Sequence, residues 1–326
     1  MKILITGGLG FIGKNLVSIL CRYKKITKII VIDKNIPDRK YLRDIHDYCY
    51  FSNKNKYKSN SKRINIIKCN TNNFNFALDI TKNIDYVIHL AAESGVDISI
   101  KRPNDSFMTN VVGTFNYLEA SRINNIKNFI FSSSGAVFGD ANPPMKIKYH
   151  KQPISPYGSS KLTIETYCYT YSSIFKIPTT VLRFSNAYGE YSSNKKSIVA
   201  QIIKSYLNDS DISIYGDGTQ SRDFIYVKDI CSAIIKCLKK SSGYNEHHIG
   251  TAKETSINEL LKNLNAIFSK HYIKKPNVRY VKKRKGDMLN NSLDISKTKK
   301  VLNWTPLYSL NDGLINTVKW YLDNKF

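Results

Sequence analysis

The sequence predicts an α/β protein with a doubly wound parallel sheet and a smaller C-terminal α/β lobe. Short apolar runs typical of buried strands alternate with helical stretches from residue 1 to about residue 185. The chain opens on a predicted strand, Lys2–Thr6, followed at once by closely spaced glycines and a helix predicted over 15–23. This order of elements is typical of the first unit of a dinucleotide-binding sheet.

The glycine turn after the first strand suits a bound pyrophosphate. Gly7, Gly10 and Gly13 stand where the backbone must turn tightly or approach another group closely. The helix behind them presents free N–H groups and the positive end of its dipole. A second strand, Lys28–Ile32, ends in Asp33, about 20 residues beyond the turn, where dinucleotide sites place an acid for a ribose hydroxyl.

The alternation continues through the first half of the chain. Further strands are predicted at Ile64–Lys68, Asp85–Leu90, Lys127–Phe131 and Thr179–Phe184, and long helices over 103–124 and 157–175. Between Lys34 and Arg63 the chain is polar and rich in Lys, Asn, Ser and Tyr. We interpret this stretch as a surface insertion, with a lid as the alternative, and expect a short helix at 41–51 and a loop at 52–62.

Beyond residue 185 the regular alternation stops. Helices are predicted over 197–207, 229–239, 256–268 and 310–322, with one short strand at Ile212–Ile214. We therefore expect residues 1–185 to form the dinucleotide-binding domain and residues 186–326 to form mainly a substrate-binding lobe.

The charge balance is strongly basic. The chain has 326 residues and a formal net charge of +25, from 50 Lys and Arg against 25 Asp and Glu. The basic residues are spread along the chain rather than gathered in one arm, so we interpret them as a solvated surface that attracts anionic small molecules. Nucleic-acid binding is the alternative that charge alone suggests.

Other bulk features exclude several classes of protein. No apolar run approaches the ~18 residues of a membrane helix. A first strand that begins at Lys2 leaves no room for a signal peptide. The six cysteines have no CxxC spacing, which predicts free thiols, a reducing cytoplasm and no metal site.

The segment SPYGSSK carries a candidate acid–base pair. Tyr157 and Lys161 stand four residues apart at the start of a predicted helix, so both face one side. We expect the Lys161 ammonium to lower the pKa of Tyr157 from its usual ~10, which makes the phenol a competent general acid and base. Ser134, at the end of the fifth predicted strand, has a hydroxyl that could bridge Tyr157 and a substrate oxygen.

Six segments of the chain, taken together, resemble motifs of the extended short-chain dehydrogenase/reductase family. In order along the chain they are TGGLGFIG, HLAAESG, SSSGAVFGD, PISPYGSSK, RFSNAYG and YGDGTQSRDFIYV. Within this Rossmann-fold family they are most similar to the NAD-dependent nucleotide-sugar epimerase/dehydratase branch. The resemblance covers nearly the whole chain. It implies bound NAD, a nucleoside-diphosphate sugar substrate, and Ser134, Tyr157 and Lys161 as the catalytic group.

The resemblance also implies which residues bind the two ligands. The cofactor-binding residues would be Gly7, Gly10, Phe11, Ile12, Gly13, Asp33, Lys34, Asn70, Leu90, Ala91, Ala92, Asn110, Tyr157 and Lys161. The substrate-binding residues would be Ser134, Asn186, Arg222, Arg284, Asp287 and Asn291. Asn70 stands where the family commonly has an aspartate that contacts adenine. Asn291 stands where relatives limited to small hexoses carry a bulkier residue, so it could admit an N-acetyl group.

The residues after Ser134 help choose among the reactions of this branch. The 4,6-dehydratases typically carry Asp-Glu there, because eliminating water needs an extra acid and base. This chain has Gly135 and Ala136, neither of which can transfer a proton. We therefore expect a UDP-sugar 4-epimerase, an isomerase that inverts C4 through a 4-keto intermediate.

Several alternatives remain at this point. The sugar could belong to the UDP-GlcNAc/UDP-GalNAc, UDP-Glc/UDP-Gal or UDP-uronate series. A reductase or another epimerase acting on a nucleoside-diphosphate keto-sugar is the alternative enzyme, and a non-catalytic NAD-binding protein is the alternative class. The resemblance further implies a role in polysaccharide biosynthesis and a homodimer. In that dimer the helices beginning at Pro103 and Tyr157 would form a four-helix bundle.

Overall fold

The computed structural model describes residues 1–35, 41, 49–52, 63–239, 241–282 and 289–324. The strands of this part are β1 (Lys2–Thr6), β2 (Lys28–Asp33), β3 (Cys49–Ser52), β4 (Ile64–Lys68), β5 (Tyr86–His89), β6 (Asn128–Ser134), β7 (Thr179–Phe184), β8 (Asn186–Tyr188), β9 (Ile212–Tyr215), β10 (Ser221–Arg222), β11 (Phe224–Tyr226), β12 (Tyr244–Ile249), β13 (Thr255–Ser256) and β14 (Val278–Val281).

The α-helices of the same part are α1 (Phe11–Leu20), α2 (Phe74–Ile80), α3 (Val96–Lys101), α4 (Pro103–Phe107), α5 (Gly113–Ile123), α6 (Pro156–Phe175), α7 (Ile198–Leu207), α8 (Val227–Lys236), α9 (Ile257–Ser269), α10 (Ser296–Leu302) and α11 (Leu310–Asn324). A π-helical turn, Met108–Val112, joins α4 to α5, and a 3₁₀ turn, Gly135–Phe138, follows β6. None of the described helices has the length and apolar character needed to cross a bilayer.

A single large sheet organises the chain. Its eight strands lie in the order β12-β7-β6-β5-β1-β2-β4-β3, and the five pairings from β6 to β3 are all parallel. The central strand β1 is fully buried at Ile3, Leu4 and Ile5, as its unbroken apolar run requires. The strand order runs outward in both directions from β1, which creates a switch point at its carboxyl end. The predicted doubly wound sheet is confirmed.

One strand of this sheet was predicted as a helix. The prediction for residues 41–51 is wrong at its C-terminal end, because residues 49–52 form β3, which pairs in parallel with β4 and sets Cys49 opposite Ile64. Pairing with an available strand edge outweighs the local helical preference, as is usual for short segments. Residues 42–48 and 53–62, the remainder of the predicted helix and loop, lie outside the described residues.

Two helices near the predicted ligand sites also differ from expectation. Helix α1 begins at Phe11 rather than near residue 15, because Gly10 has an extended backbone and serves as the N-cap directly after the turn. The predicted helix over 103–124 is divided into α4, the π-helical turn and α5. Such π turns recur at functional sites, and this one carries the buried Asn110.

The chain forms two compact units. The first comprises Met1–Gly139, His150–Arg183 and Cys231–His247, and the second comprises Asp140–Tyr149, Phe184–Ile230 and His248–Phe326. The first unit therefore takes most of β12 from beyond residue 185. The functional division that we predicted at this residue stays a prediction.

Each unit has its own interior. In the first, apolar residues of the sheet such as Leu4, Val87 and Phe129 form a buried cluster with residues of α5 and α6. In the second, Tyr206 stacks on Phe268 with ring centroids 4.2 Å apart. The five cysteines whose side chains are described are all buried and unbridged, as predicted for free thiols.

Candidate functional site

The turn between β1 and α1 requires glycine at Gly7. This residue has φ +67°, and a Cβ added to it would lie 2.6 Å from the backbone nitrogen of Ala91. The backbone of the segment after β5 therefore passes directly against the glycine turn. This approach brings Leu90 and Ala91 to the same edge of the sheet as Gly7. The role of Leu90, Ala91 and Ala92 in binding NAD stays a prediction.

The first turn of α1 offers backbone donors to a ligand. Its N-cap, Gly10, makes no side-chain capping bond, and the first turn carries no acidic residue. The amide groups at Phe11, Ile12 and Gly13 therefore face no competing side-chain cap. An uncapped helix N-terminus behind a glycine turn is the arrangement that accepts a pyrophosphate, so these residues fit NAD.

Asp33 joins the glycine turn to the end of β2. Its Oδ2 accepts a hydrogen bond from the Leu9 N–H at 2.9 Å, and its Oδ1 accepts one from the Asn35 N–H at 2.9 Å. The neighbouring Lys34 forms an ion pair with Glu93, with Nζ and Oε2 3.4 Å apart. A carboxylate has about four lone-pair sites, so Asp33 retains capacity for a ribose hydroxyl.

An open cavity lies beyond the end of β4. It has a volume of about 570 Å³ and is lined by Cys69, Asn70, Asn72, Asn73, Phe74 and Asn75. The Oδ1 atom of the exposed Asn70 accepts a hydrogen bond from the Asn72 N–H at 3.2 Å. Side-chain amides can both donate to and accept from a base edge, so this cavity fits the adenine of NAD.

Asn110 ties the segment after β5 to helix α6. Its Oδ1 accepts from the Glu93 N–H at 2.8 Å, while its Nδ2 lies 3.1 Å from the Glu93 carbonyl oxygen and 3.1 Å from Ser160 Oγ. The Ser160 hydroxyl in turn donates to the Tyr157 carbonyl oxygen at 2.7 Å. In the described structure Asn110 therefore positions the candidate site, and its direct contact with NAD stays a prediction.

Helix α6 begins against the 3₁₀ turn that follows Ser134. The Ser155 hydroxyl caps the helix by accepting from the Gly158 N–H at 3.1 Å, and Pro156 occupies the first turn, where its missing N–H costs nothing. A Cβ on Gly158 would lie 2.5 Å from the Ala136 carbonyl oxygen. Only glycine lets the helix approach this closely, and the approach allows a hydrogen bond between the Ser134 and Tyr157 side chains.

Tyr157 and Lys161 share one face of α6, as their spacing predicted, but their electrostatics differ from expectation. Burial raises the pKa of Tyr157, and the Ser134 hydrogen bond opposes this rise. The expected lowering of this pKa by Lys161 is therefore wrong for the described chain. The physical reason is burial, which also lowers the pKa of Lys161 to about 7, so its charge is only partly present at neutral pH.

The Lys161 ammonium has specific partners. Its Nζ donates to the Ser132 carbonyl oxygen at 2.7 Å and lies 4.8 Å from the ring centre of Phe131 and 5.8 Å from that of Tyr157. Glu165, one helical turn further along α6, acts against the burial effect and raises the pKa of Lys161. The sequence analysis missed Glu165, although its spacing of four residues from Lys161 was a signal.

Glu165 belongs to a buried ion-pair cluster. Arg183 of β7 donates from Nε to Glu165 Oε1 at 2.8 Å and from Nη2 to Glu165 Oε2 at 2.6 Å. Arg183 Nη2 also lies 2.6 Å from Glu246 Oε2 on β12. Ser133 Oγ donates to Glu165 Oε1 at 2.5 Å. The cluster thus joins α6 to three neighbouring strands beside the candidate catalytic residues.

The second unit gathers three of the predicted substrate-binding residues. The Asn186 N–H donates to the Asp223 carbonyl oxygen at 2.9 Å, and the Asp223 N–H donates to the Asn291 carbonyl oxygen at 2.8 Å. Arg222, the residue before Asp223, donates from Nη1 to the carbonyl oxygens of Ser221 at 2.7 Å and Leu289 at 3.2 Å. Asn186, Arg222 and Asn291 therefore lie within one local backbone network, whereas Arg284 and Asp287 lie outside the described residues.

Lys161 predicts a specific pH dependence of stability. Its pKa is about 7 in the folded chain against an ordinary 10.5, so between these pH values the unfolded chain binds a proton that the folded chain does not. The free energy of unfolding should therefore rise with pH across this window, by up to ~1.4 kcal/mol per pH unit from this group. Urea unfolding at pH 7 and pH 9 measures this rise, and a Lys161→Met variant should lose it.

An exposed lysine provides the control for this measurement. A Lys262→Met variant should keep the wild-type dependence on pH, because that lysine is exposed and solvated. An equal rise for wild type and Lys161→Met would contradict the assignment of the effect to Lys161.

A model of the NAD-dependent epimerase/dehydratase family matches residues 3–250. Among curated proteins, the UDP-glucuronate 4-epimerase of Thermodesulfobacterium geofontis is 32% identical over 98% of this chain and 96% of its own. The dTDP-glucose 4,6-dehydratase of Escherichia coli is 30% identical over 100% of this chain and 94% of its own. Both kinds of enzyme therefore resemble the chain along nearly its whole length.

Solved structures show the same likeness. The UDP-glucose 4-epimerase of Thermotoga maritima, crystallised with UDP-glucose, has a TM-score of 0.86 and 31% identity, covering 99% of each chain. The UDP-glucuronic acid 4-epimerase of Bacillus cereus, in complex with UDP-glucuronic acid and NAD, has a TM-score of 0.86 and 29% identity, covering 99% of this chain and 100% of that one.

The predicted extended short-chain dehydrogenase/reductase fold is confirmed by these neighbours. The match to a family defined by its dependence on NAD also confirms the predictions of an enzyme and of NAD as its cofactor. Epimerase activity has the support of several of these relatives, although a dehydratase is among them. The chain belongs to the NAD-dependent epimerase/dehydratase family.

Proposed function

We propose that this protein is a UDP-sugar 4-epimerase, an isomerase that inverts C4 of the sugar through a 4-keto intermediate with tightly bound NAD. The observation that carries the proposal is the composition of the turn after Ser134. Its first two residues are Gly135 and Ala136, so no acid or base follows the hydroxyl residue. A 4,6-dehydratase needs a second proton-transfer pair to eliminate water, whereas an epimerase needs only one group that removes a proton and returns it.

The nearest buried carboxylate does not replace the missing acid. Glu165 is bound by Ser133 and by both nitrogens of the Arg183 fork, and its residue is only 3% exposed. Both oxygens of this carboxylate are therefore already bound by other side chains of the chain. In the proposed reaction Tyr157 is the group that removes and returns the proton, and an epimerase needs only one such group.

Tyr157, Ser134 and Lys161 each have a separate role in the proposed reaction. Tyr157, as the phenolate, removes the proton from the 4-hydroxyl of the sugar and later returns it to the same oxygen. Ser134 donates a hydrogen bond to that oxygen while the carbonyl exists, and a protonated Lys161 favours the phenolate through opposite charge and holds a ribose hydroxyl of the cofactor. When bound, NAD accepts the C4 hydride and returns it to the other face of the sugar.

The substrate-binding roles of the second unit are part of the proposal. Arg222 would bind the diphosphate with Arg284, since planar guanidinium groups suit phosphate oxygens. Asn186 would contact the same diphosphate, and Asp287 would accept from the uridine ribose. Asn291 would select the sugar, since its small side chain is compatible with an N-acetyl group.

We also propose a homodimer formed through α4, α5 and α6. These helices expose apolar side chains, among them Phe107 at 52%, Ile174 at 64% and Phe175 at 48% relative exposure. Exposed apolar residues concentrated on neighbouring helices are typical of an interface. A second copy of the chain would cover them by forming a four-helix bundle. We further propose that the enzyme works in the cytoplasm and serves polysaccharide biosynthesis. Its buried free thiols fit a reducing cytoplasm.

The reaction predicts a product that NMR can identify. The purified protein, mixed without added cofactor with UDP-GlcNAc, UDP-Glc and UDP-GlcA separately, should convert at least one of them to the galacto sugar. A Tyr157→Phe variant should fold normally and lose at least about a hundredfold in kcat, because general acid–base catalysis contributes that much. Failure of all three sugars to change, even after NAD is added, would count against the epimerase.

The size of residue 291 predicts the choice of sugar. An Asn291→Tyr variant should lose turnover of the N-acetylated sugar by at least about tenfold relative to plain UDP-glucose, because the larger ring fills the space next to C2. Kinetics with both sugars measure the ratio of kcat/KM. Equal losses for the two sugars would remove residue 291 from specificity.

The proposed interface predicts the oligomeric state. An Ile174→Glu variant should be a monomer in light scattering coupled to size exclusion, since a charge would be buried in the bundle. Val301→Glu is the matched control, because Val301 is a similarly exposed apolar residue on α10. A dimeric Ile174→Glu variant would contradict the proposed bundle.

A further inference from the structure

We infer that Glu165 is a positioning residue of this active site, which holds the end of β6 through Ser133 and supplies the negative charge that keeps the Lys161 ammonium in place. This inference rests on the proposed function for its kinetic consequence, but its structural part can be tested without any substrate. The sequence motifs and the proposed reaction assign no role to Glu165.

Glu165 is hydrogen-bonded to the end of β6, next to both contacts of the candidate catalytic residues. Glu165 Oε1 accepts from Ser133 Oγ at 2.5 Å, and Ser133 lies between the two residues that the site uses. The carbonyl oxygen of Ser132 accepts from Lys161 Nζ at 2.7 Å, and the Ser134 side chain hydrogen-bonds Tyr157. By fixing the position of Ser133, the Glu165 carboxylate therefore also positions the contacts of Ser132 with Lys161 and of Ser134 with Tyr157.

Glu165 is itself fixed by a buried ion pair with Arg183. The side chains of Arg183 and Glu165 are 0% and 3% exposed, and the arginine binds both carboxylate oxygens. Bidentate pairing fixes the plane of the carboxylate as well as its charge. Arg183 also has Glu246 as a second anionic partner, with Nη2 and Oε2 2.6 Å apart. Arg183 is thereby held from two sides, by Glu165 on α6 and by Glu246 on β12.

The surroundings of Lys161 offer few other groups that could retain its charge. From α6 the facing groups are Glu165 and Tyr157, and from β6 they are the Ser132 carbonyl and the Phe131 ring. From β5 the facing group is His89, whose burial lowers its pKa to about 3, so it stays neutral.

Further groups face Glu165 itself. Cys168 lies one turn along α6, and burial, with Glu165 next to it, raises the pKa of its thiol, so it too stays neutral. From the strands, Arg183 binds Glu165 and Tyr244 lies beside Glu246. Among the described residues whose charges act on Lys161, Glu165 is the one that favours its protonated form.

The consequence for catalysis follows from the charge of Lys161. In the proposed reaction a protonated Lys161, 5.8 Å from the centre of the Tyr157 ring, favours the phenolate through opposite charge. Burial opposes the charged forms of both side chains. Removing the Glu165 charge should therefore weaken the hold of Lys161 on its proton and reduce the fraction of enzyme with the reactive ion pair. The effect should appear in kcat rather than in KM, because Glu165 touches no substrate.

The substrate-free test is a double-mutant cycle between residues 165 and 161 at two pH values. The attraction is present when Lys161 is protonated and disappears as the pH rises through its pKa of about 7. Glu165→Gln should therefore destabilise the protein more at pH 6 than at pH 9, as measured by urea unfolding. In a Lys161→Met background this difference between the two pH values should vanish. A coupling that is zero, or equal at both pH values, would overturn the inference.

The kinetic test uses the pH profile of kcat. We assign the alkaline limb of this profile to the loss of the Lys161 proton. In Glu165→Gln this limb should lie about one pH unit lower than in wild type, and kcat at pH 8 should be about tenfold lower, while KM stays within about twofold. Glu165→Asp, which keeps the charge, should retain the wild-type position of the limb. If Glu165→Gln does not fold, Glu165→Asp is compared with wild type instead. An alkaline limb displaced by a full pH unit in Glu165→Asp would then count against the inference.

Two control variants separate charge from general packing. Glu246→Gln removes the other carboxylate of Arg183 and should lower stability without moving the limb. Ser133→Ala removes the hydrogen bond to β6 and should lower kcat without moving the limb. A limb moved equally by Glu246→Gln would overturn the inference. If the cycle gives the expected coupling but no variant, including wild type, converts any UDP-sugar, the proposed reaction fails and the placement of Glu165 stands.

Discussion

The close approach of helix α6 to the end of strand β6 is the constraint on which the candidate active site depends. A glycine at 158 allows the helix to begin against the Ala136 carbonyl, and Lys161 Nζ then reaches the Ser132 carbonyl at 2.7 Å. At the same contact the Ser134 side chain hydrogen-bonds Tyr157. The helix cap at Ser155 and the ion pair between Glu165 and Arg183 reinforce the same contact from its two ends.

Burial creates an electrostatic tension at this contact. Desolvation raises the pKa of Tyr157 and lowers that of Lys161 to about 7, so both side chains are driven toward their neutral forms. The proposed reaction needs both in their charged forms. Burial also strengthens each contact between charges, although the net pKa shifts show that its penalty on the isolated charges is the larger effect here. The arrangement of Ser134 and Glu165 around the pair therefore matters more than the two residues alone.

Local sequence patterns predicted the elements that are built from neighbouring residues. The glycine turn, Asp33 at the end of β2 and the pair on α6 depend on spacings of a few residues, which one segment of chain specifies by itself. Prediction failed where a partner distant in sequence decides. The strand β3 exists through its pairing with β4, and β12 joins the large sheet from beyond residue 185. The direction of the Tyr157 pKa was also wrong, since burial depends on the whole fold.

The sequence by itself determined the fold class, the family, the dependence on NAD and the identity of the residues that could carry the reaction. The fold class follows from the alternation of strands and helices along the chain, whereas the family, NAD and the candidate catalytic residues are implied by the resemblance that six motifs carry. Only the tertiary structure decided how Asn110 is committed to Glu93 and Ser160, and how Glu165 and Arg183 meet beside Lys161. These contacts join separate segments of the chain, and their energies depend on the exclusion of water, which exists only in the folded protein.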